Sequence, residues 1–539
     1  MIGTVLIGFA FVALWLAIRM ARIGRREKGI PPGPPTLPVL GNLHMFPKEH
    51  AHLRLSEWAK VYGDIYSLKL GPGTAIIVSS AAAVKNLLDK HSGTTSDRPA
   101  SHMADDIADG LNMVMTRYSD TWRALRKTAH AILTPQQTAK HLPIQKAEAI
   151  QLSYDILKDP KGFFNHIKRY SNSVIVSVLY GKRCPRYESE TTTAFFHAMH
   201  LNQQAMAIGR YPPVDLLPIL NYVPARWAPW KIAAARINRL QKKLYLGLLA
   251  ECEERVEKGT ETGCYMEEVV RRREEFGLTR VMAGYVGGVT MEGASDTTSF
   301  FLQSLILAFC AFPEAQRKAQ EEIDRVVGKD RMPNLDDFVD LPYIQAVVKE
   351  THRFRPVAPL AVPHASIADE EYGGYLVPAG STIFVNLWGI FHNEEFFERP
   401  EVFEPDRFIR SEFGTKPGAD DSDFRHTLPF GCGRRICPGM NLANNSLMLN
   451  SMNLIWAFNF SPAIDAQTGQ PIPPDTTDYL KGMLTGPNPF QCTITPRSEQ
   501  RAEQIEHAFA DAVHTFLPFE QRLDEADRAY VKEQRAAFA

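Results

Sequence analysis

Cys437 stands in the run FGCGRRICPG, residues 430–439, two places after Arg435 and directly before a Pro-Gly step. A cysteine is chemically active as its thiolate, which is both a nucleophile and a metal ligand, so its surroundings decide what it can do. Pro438 suits the first turn of a helix, where its missing N–H would be unpaired anyway, and MNLANNSLMLNSMNLIWAF reads as that helix. Cys437 is then at a helix start, where unpaired amides and the positive end of the dipole favour an anion. Arg434 and Arg435 add positive charge, and all these effects are expected to lower the thiol pKa. Gly433 and Gly439 are expected to let the backbone pass close to a flat ligand without Cβ clashes. By itself the pattern leaves open an inert buried cysteine, half of a zinc site with Cys432, or a reactive nucleophile. No second cysteine pair has zinc-ligand spacing, and the nearest histidine, His426, lies outside the loop.

Three further features carry charge where it could act. In ETHR, residues 350–353, a spacing of three puts Glu350 and Arg353 on one helix face; alone this is an ordinary surface pair of little energetic weight. FEPDRF, residues 403–408, places Arg407 behind a proline-bounded entry. The longest helical stretch, residues 278–312, has no proline until Pro313. Its hydropathy suggests a membrane span, but Glu292 and Asp296 oppose that, since an acid at the bilayer centre costs roughly 2.5–3.5 kcal/mol. The alternative is a helix buried on all sides in a large domain. The Asp296-Thr297-Thr298 step is then out of place unless it lines a cavity.

The elements that must position these residues follow from the rest of the chain. With 45% apolar and 22% charged residues in 539, the composition is globular, and a net charge of −1 excludes the basic footprint of a nucleic-acid binder. Seven widely separated cysteines suggest no disulfide framework and a reducing compartment. Residues 2–18 carry no charge, and as a helix of ~1.5 Å per residue they suit a thin bilayer such as the endoplasmic reticulum membrane. Arg19, Arg22, Arg25, Arg26 and Lys28 follow the apolar run rather than precede it. This favours an uncleaved signal anchor over 1–21, with the remaining chain on the cytoplasmic side, over a cleaved signal peptide. A basic and proline-rich hinge, 22–37, reads as a stiff extended spacer, and no polar linker divides 38–497. The fold class is mainly α with small β-sheets. YSLKLGPGTAIIVSS and GYLVPAGSTIFVNLW each read as a hairpin, whereas residues 235–258 and 312–328 are amphipathic helices. A charged C-terminal extension, 498–539, reads as a short appended helix or a mobile tail.

With these residues in place, FGCGRRICPG resembles the haem-thiolate motif F-x-x-G-x-R-x-C-x-G of the cytochrome P-450 family at every fixed position. Glu350 and Arg353 match the family's E-x-x-R pair, and Arg407 matches the arginine that completes its buried triad. Order and spacing agree over residues 31–497, including the proline-rich hinge and the ending GPNPFQCTITPR, and the whole is similar to fungal microsomal members; the tail beyond 497 is not covered. The resemblance implies haem b (heme b) with Cys437 as proximal iron ligand, a thiolate that favours O–O cleavage. It implies haem contacts for Phe430, Gly433 and Gly439, and propionate partners in Trp122, Arg126, Arg435 and His364. It also implies that Glu350, Arg353 and Arg407 form a core network holding the haem-binding loop. GASDTT, residues 293–298, resembles the oxygen-activation motif. There Thr297 would bond the Gly293 carbonyl and open the helix, while Asp296 relays protons; Ala294 replaces a usual glycine and could crowd that notch.

The implied activity is a monooxygenase acting on an apolar small molecule, of a kind that tailors terpenoid or aromatic secondary metabolites. The chain has no G-x-G-x-x-G after a strand, so electrons would come from NADPH through a diflavin reductase, with cytochrome b5 a possible further partner. Arg123 and Lys127 could form part of its docking face. Substrate walls are expected from residues 101–115, the stretch of the long helix before Thr297, 357–363 and 480–486, with Met103, Met113, Met115 and Met483 as adaptable lining. Two other readings stand beside this one: a non-oxygenating haem-thiolate enzyme (peroxide isomerase or dehydratase), and a non-catalytic haem-binding sensor.

Overall fold

A computed structural model describes Trp15, Met20 and residues 22–207 and 209–536. Apart from Trp15 and Met20, the expected anchor over 1–21 lies outside the described residues. Among the described residues no single helix is long and apolar enough to cross a membrane.

The prolines at 31–35 leave the chain extended, as expected, but they do not stand free of the body. Arg26 donates to the carbonyls of Gly33 (3.0 Å) and Pro34 (2.9 Å) and to Ser67 Oγ (2.9 Å), while the Ser67 N–H donates to the Pro32 carbonyl (2.7 Å). A Cβ at Gly33 would meet the Ser67 carbonyl at 2.1 Å, so glycine permits this close approach. The hinge is therefore laid along strand β1 (Ile65–Leu70).

β1 and β2 (Gly73–Val78) form the first expected hairpin, with Gly71 at φ +61° in its turn. The second does not form. Strand β5 (Tyr375–Val377) pairs with β4 (Glu370–Tyr372), whereas β6 (Thr382–Val385) lies parallel to β2 and antiparallel to the short β3 (His364–Ala365). The four-stranded order is β1-β2-β6-β3. Ile383 and Val385 of β6 are buried, and β2 offers an apolar partner that the neighbouring β5 does not. β7 (Phe458–Pro462) and β8 (Cys492–Pro496) make the last ribbon.

Helices form the remaining body. In chain order those that matter here are α1 (Asp120–Ile132), α2 (Leu142–Lys158), α3 (Phe163–Tyr180), α4 (Glu190–Met206) and α5 (Pro229–Lys258). They are followed by α6 (Arg280–Ala311), α7 (Pro313–Val326), α8 (Pro342–Phe354) and α9 (Met440–Ala457). α6 is the predicted long helix. Thr279 caps it by accepting from the Met282 N–H (3.2 Å), and Pro313 ends it in a 107° bend into α7. It is buried along most of its length. Gly287 and Gly288 make this possible: added Cβ atoms would meet the Tyr180 hydroxyl at 2.3 Å and the Tyr245 ring at 2.2 Å, so α3 and α5 press directly on its backbone.

The tail corrects the expectation of an appended or mobile segment. Within it, residues 498–536 form α10 (Glu499–Phe516) and α11 (Glu525–Ala536). α10 packs on α2 and contributes Ile505, Phe509 and Phe516 to the main core, with Phe509 stacked on Tyr154 at 4.2 Å. Arg183 sits over the Phe516 ring (3.6 Å) and pairs with Glu148 (3.0 Å) and Glu520 (2.7 Å). Burial pushes the Glu148 carboxyl up, but Arg183 and Arg169 outweigh it and hold the group below its usual value. Arg186 pairs with Asp527 (2.8 Å) and fastens α11. The charge pattern suggested a solvated tail because only a few of its apolar residues are spaced to face the core, and these are the ones buried. Phe516→Ala is expected to cost ~3–5 kcal/mol in equilibrium denaturation; a loss below ~0.5 kcal/mol, as at a surface site, would show the tail to be separable.

Candidate functional site

The loop before α9 is closed on itself: the Cys437 N–H donates to the Phe430 carbonyl (2.9 Å). Gly431 (φ +94°) and Gly433 (φ +55°) supply the backbone turns. Gly433 serves a different purpose from the one expected. Its Cβ would strike the Leu88 carbonyl at 2.2 Å, and its N–H donates to Asp89 Oδ1 (2.8 Å), so it fits the loop against residues 85–92, not against a ligand. Beside Gly439 there is open space, since a Cβ there would meet only Cys437 Sγ, at 4.0 Å. The Phe430 ring packs edge-on to His352 of α8 (5.5 Å).

The expected electrostatics around the thiol need correction. Burial raises the Cys437 pKa, and only the Gly439 N–H and the Arg126 guanidinium offset it. Arg434 is exposed and lies over Tyr118 (5.7 Å). Arg435 turns inward, donating to the carbonyls of Ser96 (2.8 Å), Met113 (3.2 Å) and Thr116 (2.8 Å) and stacking on Trp122 (4.2 Å). Neither reaches the sulfur. The thiolate is thus not held by the protein's charges alone.

Beside Cys437 lies a cluster of buried cations. Arg98, Arg126 and Arg435 converge there with His364. Arg98 donates to the carbonyls of Val114 (2.8 Å), Val362 (2.7 Å) and Pro363 (2.8 Å). Burial and mutual repulsion push Arg98 down to about 10 and Arg435 down to about 9. Burial, with Arg98 next, lowers His364 to about 3; its Nδ1 pairs with the Thr95 carbonyl (2.9 Å) and its Nε2 with Cys432 Sγ (3.7 Å). The nearby carboxylate, Asp97, is already engaged by Arg117 (3.0 Å) and the Tyr118 N–H (2.6 Å). Arg126 donates to the Ile436 carbonyl, and its Nε is buried without a partner. Positive charge therefore exceeds negative here, and one donor is left over. Arg98 escaped the sequence reading; its only signal is the extended Arg-Pro step in SDRPA.

Opposite stands the middle of α6, which packs across α9. Gly293, Ala294 and Thr297 keep accessible surface on a helix otherwise buried, as do Ile436, Cys437, Pro438 and Gly439 on the other side. A Cβ at Gly293 would meet nothing within 4 Å. Uncovered surface thus lies both on α6 and on the loop before α9, the latter bearing the thiol, and the two helices are packed neighbours. Thr297 Oγ1 donates to the Gly293 carbonyl (2.7 Å), so the Ala294 methyl does not prevent that bond. Asp296 points elsewhere, towards α4, where Gln203 Nε2 donates to it (3.3 Å). Burial pushes its carboxyl up to about 6, partly offset by Lys168. A flat dianion with a thiolate-seeking metal fits these surfaces: an open glycine on each, a sulfur donor, and guanidiniums in excess beside it.

The expected substrate walls converge on α6. Asn112 bonds Glu292 (3.1 Å), the Thr485 N–H bonds the Val357 carbonyl (2.7 Å), and Gly486 leaves room for Phe300. The methionines do not make one wall. Met103 joins a cluster with Ile107 and Ile237, Met113 is buried in the main core, Met115 is half-buried and Met483 is exposed.

Glu350, Arg353 and Arg407 are brought together and buried. Arg353 grips Glu350 with two bonds (2.7 and 2.9 Å), and Arg407 Nε adds a third (3.2 Å). Their other donors go to the carbonyls of Phe391 (3.0 Å), Glu398 (3.1 Å) and Val402 (3.3 and 3.4 Å), not to the Cys437 loop. The link to that loop is indirect: Phe391 and Phe397 share an apolar cluster with Leu428 and Cys432. Glu350→Gln is expected to cost ~3–5 kcal/mol, because two guanidiniums lose their buried counter-charge. Denaturation curves measure it, and a loss near zero would mean that the backbone carbonyls suffice.

The family model for cytochrome P450 matches residues 31–494. A cytochrome P450 monooxygenase of Armillaria gallica is 47% identical over 96% of this chain and 98% of its own length. One of Arthrobotrys oligospora is 40% identical over 95% and 98%, and one of Aspergillus niger 38% identical over 94% and 96%. The Armillaria alignment covers so much of the chain that it must extend into the tail beyond the family model.

Proposed function

The chain belongs to the cytochrome P450 family and is a haem-thiolate monooxygenase; from that premise we propose that it oxidises a largely apolar small molecule of secondary metabolism while held at a membrane. The observation that carries the reading is the cluster of buried guanidiniums beside Cys437, with positive charge in excess and a donor left over on Arg126. When bound there, haem supplies the iron that activates O2.

The protein's own residues have distinct tasks in this proposal. Cys437 would hold the haem iron through its sulfur, which the Gly439 N–H steadies. Arg126, through its unpartnered Nε, and Arg435 would bind the propionates, with Trp122 flat against Arg435 and His364 beside them; we add Arg98 to this set. Phe430 closes the loop beneath the sulfur. Thr297 presents its hydroxyl at the notch, and Asp296, pushed up to about 6, holds or releases a proton near neutrality. The Asp296 side chain faces α4, so its proton enters from the Gln203 and Lys168 side.

Electrons come from NADPH through a diflavin reductase in this reading, cytochrome b5 being a further donor. Support comes from Arg123, Lys127 and Arg434, exposed on the side of α1 that carries Trp122 and Arg126, with Arg123 and Arg434 both over Tyr118. A single-pass anchor in the endoplasmic reticulum membrane, body towards the cytoplasm, rests on the apolar run 2–18 and the cations after it. An exposed apolar group, Leu217, Ile219, Tyr222 and Trp227, supports contact of the body itself with lipid. Lys48 approaches Gly209, and Glu49 pairs with Lys481 (2.7 Å), so exposed Leu37, Leu40 and Met483 lie towards the same side.

The dithionite-reduced protein under CO is expected to show the red-shifted Soret band of a thiolate-ligated haem, and Cys437→Ala to lose it. Retention of the band in that variant would overturn the assignment. Thr297→Ala is expected to keep the band yet divert NADPH oxidation from product to peroxide and water; unchanged coupling would remove the hydroxyl from the mechanism.

A further inference from the structure

Glu292 has no part in the chemistry above, yet three side-chain donors from two separate chain segments meet on its carboxylate. It is buried on α6, one turn before Asp296 and next to the open side of Gly293. Its Oε1 accepts from Gln241 Nε2 (3.0 Å) and from the Tyr245 hydroxyl, both on α5. Its Oε2 accepts from Asn112 Nδ2 (3.1 Å). Three side-chain donors on one buried group match an acceptor-only carboxylate. Burial, the largest cause, still pushes Glu292 up to about 7; Tyr245 and Asn112 pull it back and Asp296 adds to the rise. Tyr245 cannot retreat, because its ring lies against the Gly288 backbone.

The loop that carries Asn112 is fixed at its other end. Arg98 holds the Val114 carbonyl and Arg435 those of Met113 and Thr116, so the side of the loop near Cys437 belongs to the cationic cluster. Within the loop, the N–H groups of Met115 and Thr116 return to the Asn112 carbonyl (2.9 and 2.7 Å), which makes it a stiff turn that moves as one piece. Among the described residues, Asn112–Glu292 is the one hydrogen bond that joins this turn to α6. The same carboxylate holds α5. Removing it frees the turn from α6 and loosens one tie of α5, which Arg280–Glu253 (2.8 Å), Asn238–Tyr285 (3.5 Å) and the Tyr245 ring at Gly288 still hold to α6.

We infer that Glu292 is a specificity-determining positioning residue: by holding Asn112 on one oxygen and Gln241 and Tyr245 on the other, it sets the room beside Gly293 that a substrate can occupy. The inference rests on the haem-thiolate reading for its meaning as specificity, but the tie itself does not. A glutamine in its place keeps an acceptor, and the amides of Asn112 and Gln241 can turn to suit it; a leucine of similar volume keeps none.

The test uses the full chain with haem, in wild type, Glu292→Gln, Glu292→Leu and Asn112→Ala. Imidazole and the bulkier 4-phenylimidazole are titrated by their Soret shifts, and the ratio of their affinities reports the room available. Glu292→Gln is expected to keep the wild-type ratio within about twofold, while Glu292→Leu and Asn112→Ala shift it in the same direction by about fivefold or more. A ratio within about twofold of wild type in both of the latter overturns the inference. Hydrogen exchange of residues 109–118 is followed in the same samples and in haem-free protein. It is expected to accelerate in Glu292→Leu and Asn112→Ala while residues 430–439 keep their wild-type rates. A wild type whose Soret band answers neither ligand refutes the haem reading instead, and the exchange arm then decides alone: unaltered rates at 109–118 in both variants refute the tie. Should Glu292→Leu not fold, Asn112→Ala carries both measurements.

Discussion

Three guanidiniums packed out of water, with one carboxylate nearby that is already committed, are the condition on which the centre of this molecule rests. Buried charge must be solvated by the protein itself, and here main-chain carbonyls do most of it: Ser96, Met113, Val114, Thr116, Val362, Pro363 and Ile436. These carbonyls belong to four stretches of chain that no strand or helix joins. The arginines therefore stitch the loops around Cys437 by their need for acceptors. What the carbonyls leave undone, the surplus charge and the lone Arg126 donor, is what gives the site its preference for an anion.

A second ion network works at one remove. Glu350, Arg353 and Arg407 are as deeply buried as any group in the protein, yet none of their bonds reaches the thiol loop. They solidify residues 391–402, and Phe391 and Phe397 pass that rigidity to Leu428 and Cys432 through apolar contact. Positional accuracy at the sulfur comes from packing against a braced segment together with directional bonds to the sulfur's neighbours: Cys437 N–H to Phe430, Gly433 N–H to Asp89, Arg126 to the Ile436 carbonyl, and Arg435 to three carbonyls.

Features encoded locally could be read from the sequence. The cysteine before a Pro-Gly step, the acid-Thr pair in a long apolar helix and the E-x-x-R spacing all lie within one turn or one loop. Glu350 and Arg353 do pair and Thr297 does bond the Gly293 carbonyl, although Asp296 turns towards α4. Features settled by distant partners could not. The alternation in GYLVPAGSTIFVNLW is compatible with a hairpin, and only the presence of β2, about three hundred residues away, draws β6 off. Gly433 looked like a ligand-facing glycine because nothing nearby reveals that Leu88 will press on it. Arg434 and Arg435 are adjacent, so proximity in sequence gave both to the sulfur, whereas one is outside and the other is turned to carbonyls. Arg98 had no spacing to mark it. The tail was hidden by its composition: Ile505, Phe509 and Phe516 are few among many charges, yet those few face the core.

The C-terminal helices also bear on the order in which the protein can be made. Domains fold as synthesis proceeds, and Glu148, Arg169 and Arg183 leave the ribosome long before Phe516 and Glu520. Until the last helices emerge, α2 shows an uncovered apolar groove and Arg183 lacks both its aromatic cover and its second carboxylate. The nascent body is thus incomplete at this face until α10 and α11 dock there.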